Sequence, residues 1–150
     1  QGYKSFSNSN ERNIITVNST SFLPLICYEI IFSGQLNKKK HEYDFILNIS
    51  EDGWFGESIG PKQHFVHSIF RAIESGKYIV RSSNNGMAAI INPLGEIEKK
   101  IDYGKDGFID FKKSRAVDST IFSVYGNNIF FLIILLYIFL VFSFNRIENE

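Results

Sequence analysis

Leu25-Ile26-Cys27-Tyr28-Glu29-Ile30 is where an apolar run, residues 22–26, gives way to a segment that begins a short helix over 28–35. A strand handing over to a helix at its C-terminal end is the joint at which α/β folds place their sites, because the first N–H groups of the helix have no intrahelical acceptor. Cys27 stands at that joint and is the only cysteine of the 150 residues. A thiolate presented there can attack a carbonyl carbon while the next backbone N–H groups face the developing oxyanion. Position alone does not assign that role, since an isolated cysteine more often packs as a small hydrophobe.

On the N-terminal side, residues 1–13 are polar and rich in Ser and Asn, and read as a loop, while residues 14–17 form a short strand before the apolar 22–26. Beyond Cys27, residues 38–42 are a solvated connector. Residues 43–49 are a further buried strand, ending in the loop Glu51-Asp52-Gly53-Trp54-Phe55-Gly56. Gly60-Pro61 opens a helix: proline suits the first helical position, Phe65, Ile69 and Ile73 recur on one face, and Gly76 ends it. Residues 78–82 and 87–91 read as strands around Asn84-Asn85-Gly86, and Asn92-Pro93-Leu94-Gly95 turns the chain into a last strand over 96–101. This order of strands and helices predicts an α/β domain with a mixed sheet.

Lys and Arg balance Asp and Glu at 16 each, and the longest basic run is Lys38-Lys39-Lys40, so nucleic acid is not an expected partner. One cysteine allows no internal disulfide and leaves the compartment open. The chain begins at Gln1 and its only methionine is Met87, which suggests a portion of something longer.

Residues 129–144 carry no charge. As a helix they would span about 24 Å at 1.5 Å per residue, slightly short of the roughly 30 Å hydrocarbon core of a bilayer. Asn127-Asn128 and Asn145-Arg146 extend the run to the interfaces, and bulky side chains on every face argue for a membrane span rather than a core helix. The expected organisation is a domain over 1–126, a transmembrane helix over 127–146 and a polar tail over 147–150. Lys112, Lys113 and Arg115 precede the span against Arg146 after it, a bias that taken alone puts the domain on the cytoplasmic side.

Cys27-Tyr28-Glu29, Asn48-Ile49-Ser50-Glu51-Asp52-Gly53-Trp54-Phe55-Gly56, Gly60-Pro61-Lys62-Gln63-His64, Arg71-Ala72-Ile73-Glu74 and Arg81-Ser82-Ser83-Asn84-Asn85-Gly86 occur together in this order. In these motifs the chain resembles bacterial apolipoprotein N-acyltransferase, a membrane-embedded branch of the nitrilase superfamily. The resemblance implies the C-terminal part of an αββα sandwich followed by the last transmembrane helix. It implies a Glu-Lys-Cys triad in which Cys27 is the nucleophile, with a phospholipid as acyl donor and a Cys27 thioester as intermediate. The acceptor would be the α-amine of an apolipoprotein's diacylglyceryl-cysteine, and the setting the bacterial inner membrane with the catalytic domain on the periplasmic side. No cofactor is implied. The family's general-base Glu and oxyanion-stabilising Lys precede the nucleophile, and no motif among residues 1–26 matches either, Glu11 and Lys4 being nominal candidates only. The isolated chain is therefore expected to be inactive without an upstream portion of the same enzyme.

Within that resemblance Tyr28 supplies an oxyanion N–H, Glu29 organises the site as a paired buried carboxylate, and Trp54, Phe55 and Gly56 wall a lipid entrance. Arg81, at the end of a buried strand, needs a carboxylate or carbonyl partner and supports the site. His64 and His67 lie three apart on one helix, but no third ligand stands at a workable spacing, so no metal is expected. Arg71 and Glu74 read as a structural pair. Two alternatives remain: a membrane-anchored nitrilase-type amidase that uses water as acceptor, and a non-catalytic remnant lacking the triad Glu and Lys.

Overall fold

The structure is a computed structural model that describes residues 12–34, 36, 43–112, 117–118 and 120–148. Glu11, Lys4, the connector at 38–42 and the end of the polar tail lie outside the described residues. The strands β1 (Ile15–Val17), β2 (Thr20–Ile26), β3 (Phe45–Glu51), β4 (Tyr78–Asn84), β5 (Ala88–Ile91) and β6 (Ile97–Ile101) form one sheet in chain order. β2, β3 and β4 run parallel, and β1, β5 and β6 join antiparallel, so the sheet is mixed as the pattern predicts. The parallel strands are the apolar ones, as expected where both faces of a strand are covered.

On one face, the row Leu23-Ile46-Ile79 aligns by register and meets Phe65 and Ala72 of α1 (Gly60–Ser75) in a single core with Leu25, Ile30, Ala89 and Ile91. On the other face, Phe22 stacks on Phe45 at 5.5 Å between ring centres, and Phe111 caps Phe45 and Tyr78 at 5.1 and 5.4 Å. α1 connects β3 to the parallel β4, as a crossover helix does. Gly76, at φ +65°, closes α1 in the left-handed conformation that glycine adopts without steric cost, and its N–H returns to the Ala72 carbonyl.

Three expectations are revised. The segment after Cys27 is not a helix over 28–35 but a single 3-10 turn, Cys27–Ile31, because Phe32 is already extended at ψ 106°. The strand expected over 43–49 is β3, two residues later. The face of α1 toward the sheet is Pro61, His64, Phe65, Ser68, Arg71, Ala72 and Ser75, while Ile73 is 45% exposed. That face is half polar because part of the sheet beneath it is polar.

Thr120, whose Oγ1 accepts the Ser123 N–H at 3.0 Å, caps α2 (Ile121–Tyr125), a short helix the sequence pattern does not announce. α3 (Asn128–Glu148) follows. Its window Asn128–Arg146 has a mean hydropathy of 2.3 and none of it is buried, which makes it long and apolar enough to cross a membrane.

Candidate active site

Along the parallel strands, the face under α1 changes from apolar to polar toward their C-terminal ends. The row Leu23-Ile46-Ile79 is followed by Leu25-Asn48-Arg81, and then by the positions of Cys27, Ser50 and Ser83. Asn48, Asp52, His64 and Arg81 are each no more than 2% exposed. Buried polar groups at this density persist only when they satisfy one another.

Asp52 is the centre of that mutual satisfaction. Its Oδ1 accepts from Ser50 Oγ at 2.8 Å and from Arg81 Nη2 at 3.1 Å, and lies 2.8 Å from His64 Nδ1. Its Oδ2 accepts from Arg81 Nη2 at 2.8 Å and from Ser83 Oγ at 2.9 Å. Burial alone would raise the Asp52 pKa. The His64 hydrogen bond, the charge of Arg81 and the Ser50 hydroxyl outweigh it, and the carboxyl is held well below the ordinary carboxylate range. Arg81 in turn donates through Nη1 to Asn48 Oδ1 and through Nε to the Met87 carbonyl at 3.3 Å. Burial pulls its pKa down, with Asp52 and Cys27 pushing the other way.

Cys27 sits at the edge of this cluster, partly buried, with a φ of +48°. A non-glycine residue in the left-handed region costs on the order of 1–3 kcal/mol and persists only where its surroundings over-determine it, which is characteristic of functional positions. Its Sγ lies 3.7 Å from Ser50 Oγ and 3.8 Å from the Glu51 carbonyl oxygen. Its own carbonyl oxygen is 3.2 Å from His64 Nε2 and 3.4 Å from Asn48 Nδ2. Turning left-handed at the end of β2 lifts the side chain out of the strand's alternation and aims it along the C-terminal edge of the sheet.

Tyr28, Phe55 and His64 form an aromatic group with ring centres 5.4 to 6.3 Å apart. Trp54, at the tip of the β3–α1 loop, is 86% exposed, and Gly56 leaves that loop at φ +54°. Glu51 fixes the loop's base: it accepts from Asn84 Nδ2 and, at 2.7 Å, from the Gly53 N–H, contacts that lower its pKa.

Two sequence expectations about carboxylates are sorted by these contacts. Glu29 is not a buried acid: its side chain is 44% exposed, one oxygen accepts the Ile26 N–H at 2.8 Å, and the other is 3.9 Å from Arg12 Nη2. It fastens the turn that carries Cys27 through that turn's backbone. Arg81 does pair with a carboxylate, Asp52, although it lies in the interior of β4 rather than at its end. Arg71 pairs with Glu74 at 2.6 Å and also donates to the Ile31 carbonyl at 2.9 Å, joining α1 to the turn that begins at Cys27. Among the described residues, no group of three or more His, Cys, Asp or Glu is placed to hold a metal ion.

The sequence reading passed over Ser50, Asp52 and His64 as site members. The signal was present: in a buried strand the alternation that faces Ile46 inward does the same for Asn48, Ser50 and Asp52, so three buried polar residues demanded partners.

Residues 4–129 match the carbon-nitrogen hydrolase family. The chain is 47% identical over 119 residues to the apolipoprotein N-acyltransferase of Rickettsia bellii, covering 79% of this chain and 24% of that one. It is 37% identical over 149 residues to the protein of the same name from Agrobacterium fabrum, covering 96% of this chain and 28% of that one. The chain thus spans about a quarter of the length of these relatives. A CN-hydrolase superfamily protein from Xanthomonas campestris has a similar fold, with a TM-score of 0.54 at 16% identity, over 67% of this chain and 43% of that one.

Proposed function

We propose that this chain, which belongs to the carbon-nitrogen hydrolase family, carries the nucleophile portion of an enzyme that acylates the N-terminus of lipoproteins through a Cys27 thioester. The observation that carries the reading is the placement of Cys27. It is held in a left-handed turn at the end of a parallel strand, above a buried ion-paired floor, in a chain 37–47% identical to proteins named apolipoprotein N-acyltransferase.

In this reading the Cys27 sulfur attacks the ester carbonyl of a phospholipid acyl chain and the lysophospholipid alkoxide leaves with a proton. The α-amine of a diacylglyceryl-cysteine then attacks the thioester, the C–S bond breaks as the amide forms, and the proton the amine loses returns to the Cys27 thiolate. The Tyr28 N–H, at the start of the 3-10 turn, faces the tetrahedral oxyanion. Glu29 holds that turn from outside, and Arg81 holds the floor beneath it. Trp54 and Phe55 border the lipid entrance, and Gly56 supplies the bend behind them. α3 anchors the domain in the bacterial inner membrane with the site on the periplasmic side.

Among the described residues, the hydrogen-bonding neighbours of Sγ are the Ser50 hydroxyl and the Glu51 carbonyl oxygen. In this reading the proton acceptor and the cation that stabilises the oxyanion are supplied by an upstream portion of the same enzyme, and the chain is tested together with it. The test is the assembled enzyme with a diacylglyceryl-cysteine peptide as acceptor. Cys27→Ser abolishes transfer, and Trp54→Ala raises the KM for the donor lipid. Transfer that survives Cys27→Ser contradicts the reading, and release of free fatty acid in place of the amide would make the protein a hydrolase.

A further inference from the structure

Between the buried ion pair and the nucleophile stands His64, which the chemistry above does not use. It is 2% exposed and anchored on α1. Nδ1 donates to Asp52 Oδ1 at 2.8 Å, so the ring is fixed on one side by a carboxylate that itself makes five contacts. Nε2 points at the Cys27 carbonyl oxygen, 3.2 Å away. A carbonyl oxygen can only accept, so the contact is attractive when Nε2 carries hydrogen. The residue whose carbonyl is held is the one at φ +48°, and the peptide that follows it carries the Tyr28 N–H.

We propose that His64 is a positioning residue for Cys27: with Nδ1 donating to Asp52, which Arg81 holds in turn, it donates from Nε2 to the Cys27 carbonyl and holds the turn in its left-handed conformation. The clamp fixes the direction of the Cys27 side chain and of the next N–H together, because both are set by the same two backbone dihedrals. Asn48 Nδ2, 3.1 Å from the Leu25 carbonyl and 3.4 Å from that of Cys27, secures the same backbone from the sheet side. His64 reaches Cys27 at its carbonyl oxygen, so it acts through the backbone. The catalytic meaning of this clamp rests on the reading of Cys27 as nucleophile; its existence does not.

The test is hydrogen exchange across the full chain, comparing the unmutated protein with His64→Gln, which keeps an N–H donor, and His64→Met, which fills the space without one. His64→Met speeds exchange about tenfold or more in residues 26–32 while the amides of β3 and β4 keep their protection, and His64→Gln restores much of the protection. Exchange that rises uniformly over the sheet, or that leaves 26–32 unchanged, overturns the clamp. Should His64→Met fail to fold, the 15N spectrum of the His64 ring in the unmutated protein decides: hydrogen on Nε2 agrees with the proposal, and an unprotonated Nε2 contradicts it. None of these readouts depends on acyl transfer. An assembled enzyme that stayed active as Cys27→Ser would remove the nucleophile reading and leave the clamp standing.

Discussion

Asp52 has no exposed surface, and both of its oxygens are occupied by donors from β3, β4 and α1. Its folded-state pKa lies below the ordinary value of 3.8, so on acidification the unfolded chain binds the proton first. Its contribution to stability is therefore complete above about pH 5 and is lost as pH falls through the unfolded value toward the lower folded one. The thermal midpoint of the folded protein should fall between about pH 5 and pH 3, and Asp52→Asn should start lower and lose much of that slope. Arg81→Met leaves the same carboxylate buried without its cation and should cost about 3–5 kcal/mol in urea unfolding. Gly86 is needed for a different reason: a Cβ there would stand 2.0 Å from Asp52 Oδ2 and 2.4 Å from Ser83 Oγ. Gly86→Ala should destabilise the protein by about 1–3 kcal/mol through overpacking, and its acid sensitivity should change with it because the Asp52 contacts must shift.

Among the elements, those with strong local signals were legible in advance. α1 begins at Gly60-Pro61 and ends at Gly76 as its proline and glycine dictate, and β2 to β5 fall within two residues of the expected runs. What the pattern did not disclose was which side of α1 is buried, because periodicity assumes an apolar core and this helix covers an ion pair. Phe65 belongs to both patterns, whereas Ile73 belongs only to the apolar one. Phe65→Ala should cost about 3–5 kcal/mol as a buried cavity. Ile73→Ala, on the exposed side, should cost under about 1 kcal/mol, and comparable losses at the two positions would refute this assignment of faces. The 3-10 turn after Cys27 was unreadable for a related reason. Its conformation depends on Glu29, His64 and Asn48 reaching its backbone from three directions, and two of those contacts span more than 20 residues. The motifs single out Cys27; the left-handed conformation of its backbone is not readable from them.

For the whole molecule, the arrangement is a sheet whose C-terminal edge carries the site and a helix, α3, that stands apart from it. Thr120 donates to the Glu74 carbonyl, and Asn127 lies against Gly34, within a few ångströms of where a side chain there would stand. The start of α2 is thus joined to α1, and Asn127, just before the apolar helix, to the loop that follows the turn at Cys27. If α3 anchors the protein as proposed, the chain stays with the membrane through an alkaline carbonate wash and is released when residues 128–146 are deleted. The central claim, that Cys27 becomes acylated, is tested most directly by intact mass measurement of this chain recovered from membranes together with its upstream portion. The account predicts an added acyl mass that maps to Cys27, is removed by hydroxylamine and is absent in Cys27→Ser. Folded protein in the presence of donor lipid that carries no such mass would contradict it.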